Sequence, residues 1–334
     1  MSDAKRVDTV RLQNIAMGFW ESSALMSGIE LGLFTAISNG AGTDIELASA
    51  LNITPLNAER LVTVCMAMNL VTKPQGRFEN AADVERFLVE GKPGYAGPWM
   101  LFTKPRWDKF GKLSDYLRNK DEAVLGQYDG LTVEAARRMH QATSSIGMGA
   151  GRRFVRQVDL SNRTKILDLG GGSGAYSINA AKEHDHIKAV VFDLPPVAVV
   201  AREYIAEHDV GDQVEAIGGD FTKDDLPTDC DVAIMASNLP LYSRPIIAKV
   251  IQRAFDALLP GGEMHLIGET LDNDLSGPIG PALWGMAEAI NGSTGLAHTE
   301  ADCLGYFEKA GFTNIGVHEF VAGTLSRITG TKPA

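Results

Sequence analysis

Asp168, Gly170, Gly172, Gly174 and Asp193 are the residues of this 334-residue chain whose types and spacing point most directly to chemistry. In KILDLGGGSGAYS, residues 165–177, an apolar strand pattern ends in Asp168 and runs into glycines that open a helix. Side chains at Gly170, Gly172 and Gly174 would block the close backbone approach of a nucleotide-like ligand, so the turn is expected to lie against one. A second strand pattern, AVVFDL, ends in Asp193, about 20 residues past the glycines, where a carboxylate can accept hydrogen bonds from both ribose hydroxyls. A third, Gln213 to Ile217, runs into Gly219-Asp220-Phe221, a carboxylate beside an aromatic ring that suits an adenine amine and an adenine face. No pyrophosphate grip follows, and the turn reads GGGSGA rather than GxGxxG, which argues against a dinucleotide.

The elements that must position these residues continue in the same α/β order. DVAIMAS reads as a fourth strand, residues 245–258 as a helix, Leu-Pro-Gly-Gly as a turn and EMHLIGE as a fifth strand. This order resembles class I S-adenosyl-L-methionine (SAM)-dependent methyltransferases, and DLGGGSG, FDLP, GDF and ALLPGG are similar to the small-molecule O-methyltransferases of plants and bacteria. The resemblance covers almost the whole chain. It implies SAM as cofactor, with contacts from Asp168, Gly170, Gly172 and Asp193, and further from Leu194, Asp220, Phe221 and Ser237. It also implies a Rossmann-like seven-stranded, mostly parallel sheet over 161–334, closed by an antiparallel pair near 314–321 and 323–329. A helical linker over 99–160 would contribute to the acceptor pocket, and a winged-helix-like dimerisation domain over 1–98 would form a homodimer and cover part of the partner's active site.

The resembled family carries a histidine after the fourth strand, commonly in an HDW segment, that takes the acceptor's proton. Counting back from Ala257-Leu258 puts that position at Pro240, in SNLPLYSRP. Proline has no base to offer. Tyr242 matches the segment's aromatic, and Glu269 matches the carboxylate that orients the base. Such a chain has an acceptor that needs no deprotonation, draws a base from elsewhere, or no longer methylates. A phenol has a pKa near 10 and gains about 10²–10⁴-fold from a base in contact, whereas a thioether sulfur carries no proton and attacks directly to give a sulfonium. The sulfonium calls for a wall of aromatics or carboxylates, for which Tyr242, Glu269, Trp284 and Glu288 are candidates, the last two i, i+4 on one helical face.

FWESSALMSGIELGLFTAIS and ALWGMAEAINGSTGLAHTEADCLGYFEKAGF are similar to bacterial methylthiohydroxybutyrate S-methyltransferases of dimethylsulfoniopropionate biosynthesis. That resemblance implies a small thioether carboxylic acid, 4-methylthio-2-hydroxybutyrate, as acceptor. Its carboxylate calls for an arginine, and Arg137, Arg138, Arg152, Arg153 and Arg244 are all available. The alternative is O-methylation of a small hydroxylated aromatic, with His140 or His298 as substitute base. A third reading, from a different class, is a non-enzymatic SAM-sensing regulator.

That third reading rests on the N-terminal third. Gln13 to Glu30 shows helix-face spacing, Thr43-Asp44 caps IELASAL, Thr54-Pro55 opens LNAERLVTVCMAMNLV, and KPQGRFEN reads as a small hairpin. The second of these helices lacks the lysines and arginines of a DNA-recognition helix, and a net charge of −11 gives no basic face for nucleic acid. Three separated cysteines follow no metal-ligand spacing, His140 and His298 make no regular metal pair, and no metal is expected. The N-terminus MSDAKRVD has no apolar core of a signal peptide and no run of about 18 apolar residues predicts a membrane span, so a reduced cytoplasmic setting is expected.

Overall fold

The structure, a computed structural model, describes residues 7–121 and 123–334; the reading of the first six residues lies outside them. The chain divides into two compact units, Met1–Lys104 and Pro105–Ala334.

The first unit is helical. α1 (Val10–Leu31) ends where Gly32 takes a left-handed φ of 75°, and α2 (Leu33–Ser38) follows directly. α3 (Asp44–Leu51) is capped by the Thr43 side chain accepting from the Glu46 N–H. α4 (Pro55–Ala67) is capped by Thr54, with proline in its first turn, where the missing N–H costs nothing. β1 (Val71–Thr72) and β2 (Glu79–Asn80) pair antiparallel across the expected hairpin, and α5 (Ala82–Phe87) and α6 (Gly97–Met100) complete the unit. Its core gathers Leu33, Phe34, Leu47, Val62 and Cys65, each contributing roughly 1.5–3 kcal/mol when fully buried. By contrast α1 leaves Ile15, Phe19 and Trp20 about 60% exposed or more.

The second unit opens with the short helices α7 (Trp107–Phe110) and α8 (Leu113–Arg118) and the long α9 (Val133–Gln157), capped by Thr132. The sheet then builds from β3 (Lys165–Leu169), α10 (Ala175–Glu183), β4 (Lys188–Asp193), α11 (Pro195–Glu207) and β5 (Val214–Gly218). It continues through β6 (Cys230–Ala236), α12 (Arg244–Ala257), β7 (Leu258–Gly268), α13 (Ile279–Asn291), α14 (Glu300–Ala310), β8 (Thr313–Val321) and β9 (Leu325–Thr331). The strand order is β5-β4-β3-β6-β7-β9-β8. β3 to β7 run parallel, and β9 pairs antiparallel with both β7 and β8. This is the expected seven-stranded class I methyltransferase sheet. One detail differs: the Leu-Pro-Gly-Gly segment lies within β7 as a register break, Cys230 pairing with Leu258 but Val232 with Glu263, with Gly261 at a left-handed φ of 78°.

The strand order reverses around β3, whose neighbours β4 and β6 send their connections to opposite faces. A crevice therefore opens beyond the carboxyl ends of these strands, where open α/β sheets bind ligands.

Candidate active site

That crevice is lined by Gly170, Gly172, Asp193, Leu194, Asp220 and Phe221 from the strand ends, and by His140 of α9 and Tyr242 after β6. Eight residues singled out from the sequence thus meet in one pocket. The glycines are needed for a reason the sequence could not show. Gly170 and Gly172 hold left-handed φ of 63° and 59°, and a Cβ would lie 2.6 Å from the Asn238 Nδ2 and 2.7 Å from the His140 Cε1, respectively. Protein neighbours, as well as a ligand, exclude side chains there. Gly174, at φ 78°, starts α10 and a Cβ would press on Val191 at 3.1 Å, so it serves helix–strand packing.

Asp193 is held by two backbone donors: the Gly172 N–H to Oδ2 at 2.8 Å and the Leu194 N–H to Oδ1 at 2.7 Å. Burial pushes its pKa up to about 6 against these bonds. Each oxygen keeps a further lone pair for a ribose hydroxyl. Asp168 lies beneath the turn rather than in the pocket lining; it is fully buried, accepts from the Ser177 hydroxyl at 2.8 Å and leaves Oδ1 without a partner. Burial pushes it up to about 6, with Asp193 adding and Ser177 opposing. Asp220 uses Oδ1 to accept from the Thr222 N–H and hydroxyl, at 2.9 and 2.7 Å, and Oδ2 lies 3.3 Å from the Lys223 ammonium, so its carboxylate closes the turn that presents Phe221. Ser237 does not line the pocket. Its φ of 60° ends β6, and the next residue, Asn238, lines it instead, donating from Nδ2 to Ala236 O at 2.9 Å and Gly170 O at 3.2 Å.

On the acceptor side, Pro240 sits in a 3₁₀ turn, Leu239–Leu241, and its carbonyl faces Gly295, where a Cβ would be 2.3 Å away. Tyr242 is buried edge-on to Phe221 at 5.5 Å. Tyr128, which no sequence pattern marked, joins it in the pocket. Burial pushes the Tyr128 hydroxyl up to about 12, with Glu288 and Asp193 adding to the rise and Arg106 opposing it. Tyr242 is pushed up further, first by burial and then by Tyr128, Asp193, Asp220 and Glu288. Glu288 itself is buried, accepting from Asn291 Nδ2 at 2.9 Å and the Ser293 hydroxyl at 2.5 Å, and burial raises its pKa. Glu269 and Trp284 are brought together, the indole N–H donating to the carboxylate, whose pKa burial raises; neither lines the pocket around Asp193.

The two histidines fare differently. His298 is buried with both ring nitrogens engaged, Nε2 at 3.0 Å from Tyr242 O and Nδ1 at 2.8 Å from the Tyr306 hydroxyl. A carbonyl only accepts, so Nε2 carries the proton and Nδ1 accepts from Tyr306. No lone pair remains for a substrate, and the sequence-based candidacy of His298 as a base is corrected to a structural role. His140 lines the pocket with its buried Nε2 unpartnered, and burial pulls its pKa down to about 4. It is neutral at pH 7 and a weak base.

Of the candidate arginines, Arg137 is paired through two bonds with Glu203 at 3.0 and 2.7 Å, Arg153 donates to Phe320 O at 3.2 Å, and Arg244 pairs with Asp302 at 2.9 Å. Arg106, absent from that set, donates to Gln127 Oε1 at 3.1 Å and acts electrostatically on Tyr128 and Glu288. Among the described residues no three His, Cys, Asp or Glu side chains are placed to hold a metal, and no helix is long and apolar enough to cross a membrane.

Glycine turn, backbone-anchored carboxylate and aromatic wall fit a class I methyl-donor site, and the chain belongs to the O-methyltransferase family. Residues 128–313 match the O-methyltransferase domain and residues 13–90 the O-methyltransferase dimerisation domain. Over 330 residues the chain is 30% identical to 3-hydroxy-5-methyl-1-naphthoate 3-O-methyltransferase of Streptomyces sahachiroi, covering 96% of this chain and 94% of the relative. It is 27% identical over 262 residues to the N,N-dimethyltransferase OxyT of Streptomyces rimosus, covering 76% of each. The fold matches human N-acetylserotonin methyltransferase in complex with SAM, with a TM-score of 0.81 at 22% identity over the whole of both chains.

SAM is the cofactor of this family, and the residues present fit it. The left-handed glycines leave the floor bare, Asp193 offers two free lone pairs, Phe221 offers a ring face and His140 Nε2 is a buried polar atom awaiting a partner. When bound, SAM supplies an electrophilic methyl group on a sulfonium.

Proposed function

We propose that this chain is a SAM-dependent methyltransferase whose small-molecule acceptor needs no deprotonation, and that the acceptor is a thioether carboxylic acid, 4-methylthio-2-hydroxybutyrate, methylated on sulfur as in dimethylsulfoniopropionate synthesis. The observation that carries the reading is the electrostatic character of the acceptor side. Position 240 holds proline, His298 has no free lone pair and His140 is far too weak a base for a phenol. Burial, reinforced by Glu288 and Asp193, drives the two tyrosine hydroxyls of the pocket upward, so a phenol bound beside them would meet the same resistance to ionisation.

Charge accounting favours sulfur over oxygen. Methylating a phenolate with a sulfonium donor destroys a pair of opposite charges, and Glu288, which adds to the rise of both tyrosine hydroxyls of the pocket, opposes formation of such a phenolate. Methylating a thioether instead moves one positive charge from the donor sulfur to the acceptor sulfur. A carboxylate and aromatic faces on the acceptor side then favour the product-like transition state. The family contains acceptor atoms other than oxygen, as the N,N-dimethyltransferase name shows for that relative. Arg106, which donates to Gln127 and acts electrostatically on Tyr128, is the arginine this reading favours for the acceptor's carboxylate.

The test is S-adenosylhomocysteine release with 4-methylthio-2-hydroxybutyrate, with its oxygen analogue 4-methoxy-2-hydroxybutyrate, and with a panel of phenols. Turnover of the thioether alone is expected. Turnover of phenols without the thioether, abolished by His140→Ala, would establish O-methylation with a substitute base.

A further inference from the structure

A second cavity, of about 600 Å³, shares no residue with the donor pocket. It opens over the face shared by β7, β9 and β8 and is walled on the other side by the end of α9 and the segment that follows it. Register places its sheet residues on one face: His265 pairs with Thr329, Glu263 with Thr331, and Arg327 of β9 with His318 of β8. Side chains that carry charge in this position, on a β-sheet beside an aromatic core, demand partners, and most have them. Arg163 donates to Gly261 O at 3.1 Å and pairs with Glu263 at 3.0 Å. Arg327 Nη1 lies 3.1 Å from His265 Nδ1. Because a guanidinium only donates, Nδ1 is the accepting nitrogen and the His265 proton sits on Nε2, 3.2 Å from Glu263 Oε1. The ring is 2% exposed, packed edge-on against Phe154 at 5.2 Å.

Two donors of this cluster lack an aligned hydrogen bond. Arg327 Nε is buried without a hydrogen-bond partner, and His265 Nε2 has the Glu263 oxygen within ion-pair distance but no aligned hydrogen bond. The charges are also unbalanced at one point. Glu263 is matched by Arg163, while among the described residues no carboxylate lies within ion-pair distance of Arg327. Asp159, on the rim, turns one oxygen to the Ser161 N–H at 2.9 Å. Burial lowers the Arg327 pKa, the expected response of a guanidinium withdrawn from water without a full counter-charge. The rim adds small polar groups, with the Thr329 hydroxyl 3.2 Å from His318 Nε2 and Asn162 beside it.

We propose that this cavity is a second ligand site, separate from the methyl-transfer pocket, that binds a small oxyanion of the carboxylate or phosphate type with Arg327 as its cationic anchor. A planar guanidinium that lines the cavity with no carboxylate among the described residues paired to it matches such an oxygen pair, and Thr329 and His318 supply the flanking polar contacts. Neither the donor site nor the acceptor site uses any of these groups, so the inference stands independently of which acceptor is methylated.

Calorimetric titration of the full chain, saturated with S-adenosylhomocysteine to fill the donor pocket, tests it. The probes are acetate and inorganic phosphate, with chloride at matched ionic strength as control. Saturable binding of at least one oxyanion is expected, weakened tenfold or more by Arg327→Gln and less by Arg327→Lys. Thr329→Val and His318→Ala give smaller losses and decide the matter if Arg327→Gln does not fold. Arg137→Gln, at an exposed ion pair on another surface, leaves binding unchanged. Binding no stronger than chloride, binding insensitive to the Arg327, Thr329 and His318 changes, or an oxyanion that displaces S-adenosylhomocysteine would each overturn the site. The phosphate and acetate arms identify which oxyanion it prefers.

Discussion

Replacing Asp193 tests the donor site at its most determinate point. Its two oxygens are each fixed by one backbone N–H, at 2.8 and 2.7 Å, which aims their remaining lone pairs out of the turn. Two charge-assisted hydrogen bonds to the ribose, at about 1.5–3 kcal/mol each, make the side chain worth roughly 3–6 kcal/mol of donor affinity. At 1.4 kcal/mol per decade, Asp193→Ala is expected to weaken SAM binding by about 10²–10⁴-fold. Asp193→Asn keeps one acceptor but turns an NH₂ toward a backbone N–H, so it falls between. The pH dependence sharpens this. With a carboxyl pushed up to about 6, donor affinity in the parent rises as pH climbs through 6 and the group ionises. Asp168, also near 6, titrates in both proteins, so the difference between parent and Asp193→Asn isolates Asp193. Calorimetric titration with SAM between pH 5 and 8 is the assay, with thermal melts to confirm folding. A dissociation constant for Asp193→Ala within threefold of the parent, or one with the parent's pH profile, would remove this residue from ribose binding.

Pro240→His is expected to leave thioether turnover unchanged or lower, since the attacking sulfur has no proton to lose; a gain above twofold in the S-adenosylhomocysteine assay contradicts base-free transfer. Glu288→Gln should slow thioether methylation by about 1–2 kcal/mol, the scale of one nearby charge at an effective dielectric near 20, while any trace phenol turnover holds or rises; equal losses on both acceptors would assign Glu288 to packing alone. Without donor, folded-state stability should fall as pH rises from about 4 to 6, because Asp168 and Asp193 hold protons in the folded chain that the unfolded chain releases; urea midpoints across that range check this, and Asp168→Asn should flatten the slope. Light scattering at micromolar concentration should give about twice the 35.9 kDa chain mass, the assembly suggested by the matched dimerisation domain and by the exposed Ile15, Phe19 and Trp20 of α1; an active species at the single-chain mass would rule that assembly out.

What the sequence made legible was mainly local. Caps at Thr43 and Thr54 and the strand ends at Asp168 and Asp193 follow from patterns spanning a few residues, the antiparallel closing pair follows from the family resemblance, and the structure places them accordingly. What it hid depends on contacts between distant segments. Tyr128 lies in a short 3₁₀ turn with no periodicity of its own and becomes a pocket wall because the 123–126 segment packs on 291–293: the Ala123 N–H donates to Gly292 O, and a Cβ on Gly126 would lie 2.6 Å from Ser293. Arg106 likewise reaches Glu288 across more than 180 residues of sequence. His298 looked like a base because an isolated histidine carries no sign of its partners; only the fold shows Tyr306 one helical stretch ahead and the Tyr242 carbonyl on its other side.

The same distinction bears on how acceptor chemistry is set. The residues assigned to the donor side sit at the carboxyl ends of neighbouring parallel strands β3 to β6, so their spacing is imposed by the sheet and leaves a mark in sequence. The opposite wall of the pocket is assembled from the turn after β6, the segment around Tyr128 and α9, three elements whose registers are independent. Changing the acceptor atom there needs no new motif. On the proposed reading, a proline in place of a base, a histidine whose single ring lone pair is committed to Tyr306 and a buried carboxylate acting on two tyrosines together alter the charge that the site tolerates. Each is an unremarkable residue in a string of letters, and the proposed joint effect, opposing a phenolate while favouring a sulfonium, depends on a fold that lets Glu288 act on the hydroxyls of Tyr128 and Tyr242 in the pocket.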